Sequence, residues 1–477
     1  MIWFQAAWGV FLAGMLGYTF RRACRWEDDA RNNIKSPNKY GRETFIFLAP
    51  TTLFWILLVC FAIFVYALGL QEAALRFSAN LADVLLILSV YFVLLLILLP
   101  ILRKSFSARA CAVLWLVPAF LSWQAHILLQ TIPIPRLTLY IPGQLIPVIG
   151  AVWLAGFVLV GGYYLISHLI FFANVRKISE DEADPKILAL WKKQQEAIDY
   201  LRPVRLLRGD VPAPFSMGRT RLSRCTVLPR RSYTMEELTM IFSHELHHLQ
   251  RCDVDTKVFF CMCRALCWFN PLVWIATKKA AEDLELSCDE IVTEGMSEPE
   301  RRAYAEVLLD AAAPIKGCTT CLSAAAGTLR YRLKGVMDQK KRLRGTVILM
   351  IALFCCVMCF GSVSVSDRRG NFTSMIFAQD VKIDRVYDPN YSADTTWDRE
   401  ALNDLLEDLE LEHITRLMRR PYSQDDEITL VLSDGGYVRI TKSAVYVENY
   451  RKMRYADCYL IKSGLDWNAL KACIGDR

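Results

Sequence analysis

Three of the six histidines in the chain lie within five residues, in the sequence His244-Glu245-Leu246-His247-His248. On a helix, residues four positions apart share one face, so the imidazoles of His244 and His248 can bind one metal ion, typically Zn²⁺. Glu245 lies beside the first of these ligands, where its carboxylate can take a proton from the attacking water. The alternative interpretation is a polar helix face that binds no metal. We predict a zinc site with Glu245 as the catalytic base, and we expect His247 to be solvated.

A catalytic zinc site needs a third protein ligand and one open position. Five acids lie on a second predicted helix: Glu282, Asp283, Glu285, Asp289 and Glu290. This helix begins apolar and then concentrates carboxylates, which favours a turn that faces a cation. The spacing alone does not choose between Glu282, Glu285 and Asp289 as the ligand.

Two further acids are candidates for orienting the ligand histidines through hydrogen bonds. Asp289 lies four residues after Glu285, on the same helix face. Asp253 lies five residues after His248, and its alternative interpretation is an ordinary acid at a helix end. Tyr304 is a candidate for stabilising an oxyanion, although nothing in its spacing selects it.

Helix-start signals place these side chains on helices. Thr234-Met235-Glu236-Glu237 is a capping box, which predicts a helix that runs to about Arg251. Asn270-Pro271 combines a cap residue with a proline in the first turn, and predicts a helix to about Val292. A second capping box at Ser297-Glu298-Pro299-Glu300 predicts a third helix.

The composition is that of a membrane protein. Of the 477 residues 54% are hydrophobic, and the mean hydropathy is +0.24, both above the values of soluble globular proteins. Disorder, collagen and small disulfide scaffolds are excluded, and most of the sixteen cysteines are expected to be buried or reduced. Six segments have the apolar length of about 20 residues that crosses a bilayer: 2–20, 45–68, 81–102, 110–129, 145–172 and 346–365.

Basic residues set the orientation of these segments, because loops rich in lysine and arginine stay in the cytoplasm. The loop 21–43 holds seven basic residues, and the loop after the third segment holds three and no acid. The loops 71–80 and 131–142 hold one basic residue each and are assigned to the outside. Residues 173–345 are therefore predicted to be cytoplasmic and residues 367–477 extracytoplasmic. The uneven net charge of +7 is interpreted as membrane topology and not as nucleic-acid binding.

The tail has the pattern of a small α+β domain. A helix is predicted from leucines at helical spacing: Leu402, Leu405, Leu406, Leu409 and Leu417. Strands are predicted at 427–432 and 437–440, on either side of the hairpin signal Asp434-Gly435-Gly436, then at 444–447 and 458–461, with a last helix at 467–474. Cys458 and Cys473 are the two cysteines of this domain, and they form either a disulfide or stay free thiols.

A series of motifs resembles the integral-membrane zinc metallopeptidases of the BlaR/MecR type, the β-lactam-sensing signal transducers and their relatives. The series covers about residues 153–365 and has the same order: Trp153-Leu154-Ala155-Gly156, 213–218, 227–229, 244–248 with Asp253, 268–274, and 283–289. The resemblance implies that Glu285 is the third zinc ligand and that Glu245 is the general base. It also implies that the strand at 223–228 is an edge strand that binds an extended substrate through these residues: Ser223, Arg224, Cys225, Thr226 and Val227.

The tail departs from the sensors of that family. Those sensors carry a large extracytoplasmic penicillin-binding domain with a Ser-x-x-Lys nucleophile motif. Residues 367–477 are under half that size and lack the motif. β-Lactam sensing is therefore not expected of this chain.

The predicted fold class is a multi-span α-helical membrane protein with a cytosolic, α-rich, gluzincin-like zinc-peptidase domain and a small extracytoplasmic α+β domain. The predicted division has four parts: a five-span region at 1–172, the peptidase domain at 173–345, a sixth transmembrane helix at 346–366, and the external domain at 367–477, a candidate sensor. The predicted location is the bacterial inner membrane, with the N-terminus and the external domain outside and the zinc site in the cytoplasm.

The predicted function is that of a zinc endopeptidase in transmembrane signalling. By resemblance, the enzyme cleaves itself and brings about the loss of a cytosolic transcriptional repressor, in response to an external stimulus. Its expected partners are the lipid bilayer and a protein or peptide substrate, with no direct binding of nucleic acid. Two alternatives stay open: a housekeeping protease that degrades misfolded membrane proteins, and a non-catalytic receptor with a structural zinc ion.

Overall fold

The protein, described here by a computed structural model, combines apolar helices with a helical region around a four-stranded sheet and an eight-stranded sheet. The described residues are 2–46, 49–124, 135–218, 224–310, 326–338, 340, 342–377, 381–387, 396–419, 427–448 and 455–475. Ser223, the first residue of the predicted substrate strand, lies outside them.

The first three helices correspond to the first three predicted spans, with shifted ends. They are α1 (Ile2–Arg31), α2 (Thr52–Leu68) and α3 (Leu70–Ser105). α2 begins later than predicted, because Pro50 disfavours helical backbone at the residue before it. Gly69, with a φ of +80°, separates α2 from α3.

The fourth predicted span is not one continuous helix in the described residues. α4 (Ala108–Leu114) is followed by a 3₁₀-helix, Val117–Gln124. Pro118 has no N–H to donate to the carbonyl of Leu114. That carbonyl accepts a hydrogen bond from the hydroxyl of Tyr91 at 2.7 Å instead. The proline therefore ends the α-helix early.

The fifth predicted span is confirmed as a long helix, α5 (Ile146–Ile178), which follows the short strand β1 (Leu137–Tyr140). Of the side chains on α5, Ile146 and Val175 are the ones that are buried. A long apolar helix whose side chains are mostly exposed is expected to contact lipid rather than protein.

The middle of the chain forms six helices and a four-stranded sheet. Its elements are β2 (Ser179–Asp181), α6 (Pro185–Ala197), β3 (Arg205–Gly209), β4 (Phe215–Gly218), β5 (Arg224–Pro229), α7 (Met235–Gln250), α8 (Asp253–Leu266), α9 (Pro271–Thr293), α10 (Glu298–Asp310) and α11 (Ala326–Met337). The capping box of α7 is confirmed, because the side chains of Thr234 and Glu237 each accept the other's backbone N–H, at 3.2 and 2.7 Å. Asn270 caps α9 by accepting the N–H of Leu272 at 3.0 Å, so both helix predictions hold to within one residue at their ends.

The four-stranded sheet has the order β2-β3-β5-β4, and β5 is an interior strand. It pairs with β3 in parallel and with β4 in antiparallel orientation. The edge-strand prediction for Arg224, Cys225, Thr226 and Val227 is therefore wrong. All six residues of β5 are buried, and a strand covered on both faces carries no signal that tells an edge from an interior position. β4 is the edge strand on this side of the sheet.

The C-terminal part begins with α12 and forms an eight-stranded sheet, called the C-terminal sheet below, in the order β1-β6-β9-β13-β12-β11-β10-β7. Its elements are α12 (Thr346–Cys359), β6 (Val363–Asn371), α13 (Phe372–Ile376), β7 (Ile383–Tyr387), β8 (Thr396–Trp397), α14 (Arg399–Glu407), β9 (Glu410–Arg419), β10 (Ile428–Leu432), β11 (Tyr437–Ile440), β12 (Ala444–Glu448), β13 (Tyr455–Ile461), α15 (Trp467–Ala472) and β14 (Ile474–Gly475). The four predicted strands and the hairpin are confirmed, with Gly435 at a φ of +84° in the turn.

Two predictions at the start of this part are corrected. The apolar helix α12 ends at Cys359, and the last residues of the predicted sixth span enter β6. The predicted leucine helix ends at Glu407, and Leu417 lies in β9. β9 is an interior strand whose residues 411–416 are all buried, so its apolar residues do not alternate and can mimic helical spacing.

Of the two alternatives for Cys458 and Cys473, the structure has the free thiols. Cys458 is fully buried on one face of the C-terminal sheet, next to Ile414 and Tyr446. Cys473 packs against the apolar cluster on the other face, which contains Tyr459, the neighbour of Cys458 in β13. Successive residues of a strand point to opposite faces, so the sheet itself separates the two thiols.

Contacts connect the loops in the two groups that the basic residues predict, one outside the membrane and one in the cytoplasm. Arg76 of α3 pairs with Asp457 in the C-terminal sheet, and β1, from the loop 131–142, pairs with β6. On the other side, Arg31 of α1 lies 2.7 Å from Glu294, just after α9. Among the described residues two helices, α3 and α5, are long and apolar enough to cross a membrane, and α2 and α12 are shorter apolar helices.

Candidate metal centre

Three side-chain atoms from two helices converge at the centre of the helical region. The Nε2 atoms of His244 and His248, both on α7, are 3.0 Å apart, and Oε2 of Glu285 on α9 is 3.5 Å from each of them. Ligands about 2.0–2.1 Å from a tetrahedral metal ion are about 3.4 Å apart. The three atoms therefore fit one face of a tetrahedron around a zinc-sized ion.

Two other acids of α9, Glu282 and Asp283, point elsewhere. Asp283 is fully buried and accepts hydrogen bonds from Arg103 and Trp115, at 2.9 and 2.7 Å. Residues two positions apart on a helix point to nearly opposite sides, so Asp283 cannot face the histidines when Glu285 does. Glu282 pairs with Lys279 on its own helix, at 2.7 Å.

A hydrogen-bonded chain orients His244. Its Nδ1–H donates to the hydroxyl of Tyr304 at 2.8 Å, and this hydroxyl donates to Oδ1 of Asp289 at 2.8 Å. A proton on Nδ1 leaves the lone pair of Nε2 available to a metal ion on the side of Glu285. Tyr304 is almost fully buried, so no water competes for this arrangement.

His248 has its own carboxylate partner. Its Nδ1 lies 2.7 Å from Oδ2 of Asp253, which also accepts from Arg251 at 3.1 Å. Cys252 has a φ of +60°, and this left-handed residue ends α7 and starts α8, so that the chain turns back and Asp253 reaches the histidine. The sequence analysis did not predict α8.

Two cations that the sequence analysis missed surround the carboxylates. Lys257 on α8 donates to Oε1 of Glu285 at 3.0 Å, which leaves Oε2 directed at the histidines. Arg332 on α11 binds Asp289 with two hydrogen bonds, at 2.7 and 2.8 Å, and lies 3.4 Å from Oε2 of Glu285. Lys257 follows Asp253 by four residues, a spacing that could have indicated it. No local pattern singles out Arg332.

The field of the neighbouring groups favours positive charge on the imidazoles. Burial disfavours a charged His244, but Cys288 and Glu285 outweigh burial and raise its pKa to about 9. The pKa of the Glu285 carboxyl is held well below its usual range, against burial, by Lys257 and His248. A site that attracts protons so strongly can also hold a metal cation in their place.

Glu245 is buried next to His244, and its backbone connects α7 to the sheet. Its carbonyl accepts a hydrogen bond from the hydroxyl of Ser216 on β4 at 3.4 Å. The edge strand β4 therefore passes directly beside the predicted catalytic base. The expectation that His247 is solvated is wrong, because its side chain is buried. Its Nδ1–H donates to the carbonyl of Ser243 at 2.6 Å, which satisfies this nitrogen without water. Burial lowers the pKa of His247 to about 3.

Part of the chain is similar to a known protein family. Residues 136–336, which include every side chain of the site, match the family described as BlaR1 peptidase M56. The Regulatory protein BlaR1 of Bacillus licheniformis is 30% identical to the chain over 179 residues, which are 37% of this chain and 29% of that protein. The chain thus spans less than a third of the length of this relative. The match is thus to a peptidase family, and among the described residues α3 and α5 are long and apolar enough to cross a membrane.

Proposed function

We propose that the chain is a membrane-embedded zinc endopeptidase that acts in transmembrane signalling. The convergence of His244, His248 and Glu285 on one point carries this proposal, since three ligands with an adjacent glutamate are the pattern of a catalytic zinc site. A Zn²⁺ ion held by them supplies Lewis-acid polarisation of a peptide carbonyl and acidifies a water molecule.

The protein's own groups move the protons and hold the ligands. Glu245 takes a proton from the attacking water and passes it to the amine leaving group. Tyr304 with Asp289, and Asp253, keep the two histidines in the tautomer that presents Nε2. Arg332 holds the carboxylate of Asp289 in place through its paired hydrogen bonds.

The substrate would bind as an extended chain along β4. A sheet edge has unpaired backbone N–H and C=O groups that accept a further strand, and β4 is the edge next to Glu245. This assigns to β4 the role that the resemblance gave to β5. Because an added strand binds mainly through the backbone, one site can take several sequences, including a segment of the chain itself.

The proposed topology puts the metal centre in the cytoplasm and the C-terminal sheet outside, in a bacterial inner membrane, with the division at 1–172, 173–345, 346–366 and 367–477. The grouping of the loops by ion pairs and by β1 supports it. A stimulus received outside would lead to self-cleavage and to the loss of a cytosolic repressor. The name of the BlaR1 relative, a regulatory protein, supports a signalling role.

Comparison of tagged wild type with Glu245→Gln in membranes tests the proposal, with zinc content measured on both. Glu236→Gln, an exposed acid on the same helix, is the matched control. We expect a fragment from the cytosolic region in the wild type and the control, no fragment in Glu245→Gln, and zinc in all three. Equal cleavage in wild type and Glu245→Gln would contradict the proposal.

The same comparison separates the alternatives. Broad cleavage of unrelated membrane proteins without a stimulus would favour a housekeeping protease. Zinc in every variant with no cleavage of any substrate would favour a receptor with a structural zinc ion.

A further inference from the structure

The thiol of Cys288 lies with the metal-binding histidines. Sγ and one ring nitrogen each of His244 and His248 all lie within 4.8 Å of one another. Cys288 is fully buried on α9, three residues after Glu285. Residues three apart share a helix face, so both side chains face α7.

The position of the thiol is fixed by a contact with α7. Sγ of Cys288 is 3.3 Å from the backbone carbonyl of His244, to which the thiol donates. Lys257 binds one oxygen of Glu285, so that this carboxylate offers a single oxygen to a metal ion. Two nitrogens and one oxygen leave one position of a tetrahedron for a fourth ligand, and the sulfur lies within 4.8 Å of both histidines.

We propose that Cys288 is a fourth metal ligand that closes the site in a resting form of the enzyme. This inference rests on the proposed function. Structural zinc sites have four protein ligands, whereas catalytic sites keep one position for water. With the sulfur bound, the site is complete and no water can be activated. The thiolate must leave the metal before a substrate is cleaved.

The exchange balances in protons. When Cys288 binds the metal, its S–H proton passes to solvent and the hydrogen bond to the carbonyl of His244 is lost. When water replaces the sulfur, the thiolate takes up a proton and donates to that carbonyl again. The reaction needs no oxidant or reductant.

Spectroscopy of the full chain in detergent tests the ligand directly. The zinc-loaded wild type should have one sulfur at about 2.3 Å in its X-ray absorption spectrum. After replacement of the metal by Co²⁺, wild type should have a thiolate-to-cobalt charge-transfer band in the near ultraviolet. The band should disappear in Cys288→Ala and persist in Cys263→Ala, a control thiol that is fully buried in α8.

The proteolytic activity of the same variants tests whether Cys288 blocks the fourth position on the metal. Cys288→Ala should cleave several-fold more than wild type without a stimulus, and Cys263→Ala should equal wild type. A zinc spectrum with nitrogen and oxygen neighbours alone would overturn the inference, and so would a cobalt band that survives in Cys288→Ala. The wild-type spectrum decides the question even where the variant does not fold.

The outcomes keep this inference apart from the proposed function. If wild type cleaves and Glu245→Gln does not, but no sulfur is bound, the proposed function stands and the fourth ligand fails. If sulfur is bound but Glu245→Gln cleaves like wild type, the fourth ligand stands and the proposed mechanism fails.

Discussion

His413 in the C-terminal sheet and His244 in the metal centre are both buried, and both have carboxylate partners. Their second nitrogens differ. Nδ1 of His413 is bound to Asp367, and its Nε2 lies 3.5 Å from the guanidinium of Arg76, a cation. His244 uses Nδ1 for Tyr304, and its Nε2 also lies near a guanidinium, 3.4 Å from that of Arg332, but it is 3.0 Å from Nε2 of His248. Burial, a carboxylate and a nearby cation are therefore common to both histidines, and the convergence of two imidazole nitrogens distinguishes the metal centre.

Removal of a ligand histidine should cause the largest loss of zinc affinity. We expect His248→Ala to lose zinc affinity by more than about 100-fold, beyond the range of losses typical of outer hydrogen-bond partners. His413→Ala should bind zinc like wild type, because His413 lies in the C-terminal sheet and contributes no atom to the metal centre. Zinc content and chelator competition measure both, and equal zinc loss in the two variants would refute the distinction.

Removal of the carboxylate ligand should cause the second-largest loss of zinc affinity. Glu285→Gln keeps the shape of the side chain but removes its charge, and we expect zinc affinity to fall by about 100-fold. Glu282→Gln on the same helix and Asp367→Asn beside His413 are the controls, and both should bind zinc like wild type. A loss in Glu282→Gln as large as that in Glu285→Gln would mean that the third ligand is wrongly assigned.

Removal of the Tyr304 hydroxyl, which orients His244, should cause a smaller loss of zinc affinity. Tyr304→Phe removes the group between His244 and Asp289, and we expect a loss of about 10-fold in zinc affinity, at the low end for such partners. Tyr459→Phe, next to the ring of His413, is the control in the other region. Unchanged affinity in Tyr304→Phe would show that the histidine needs no partner to present Nε2.

The pH dependence of His413 should give the smallest effect. Burial lowers its pKa, but Asp367 and Asp457 outweigh burial and raise the pKa above its ordinary value. The charged form is thus favoured by folding, so its contribution to stability is complete below about pH 6.5 and is lost as the pH rises through the raised pKa.

The measurement is the melting temperature of the full chain between about pH 6 and about pH 9. The wild type should lose more stability over this range than His413→Gln. The pKa values of Asp367 and Asp457 are lowered, so both stay charged throughout and add no slope. Identical pH profiles of wild type and His413→Gln would remove His413 as the source.

Local signals predicted the elements that carry the site. Thr234 and Asn270 act on backbone groups within three residues, so the sequence alone determines where α7 and α9 begin. The histidine spacing follows from the helix repeat in the same way. Glu285 needed the family resemblance, because helical spacing leaves several acids equivalent until the helix rotation is known.

Contacts between distant segments were not predictable in this way. Arg332 reaches Asp289 from a helix 43 residues further along the chain, and no periodicity links them. The position of β5 inside its sheet depends on β3 and β4, which flank it through pairings that a single strand does not encode. Cys288 is a different case, since its spacing of three from Glu285 was visible but was not used.

The pairing of β1 with β6 has a consequence for anyone who expresses the tail alone. β1 comes from residues far upstream, so a protein that starts near residue 367 lacks the neighbour of β6 and also cuts β6 itself in two. The remaining sheet would present a bare edge, which recruits other chains and promotes aggregation. A soluble tail should therefore begin at Val363 or earlier and carry the β1 sequence fused as an added strand.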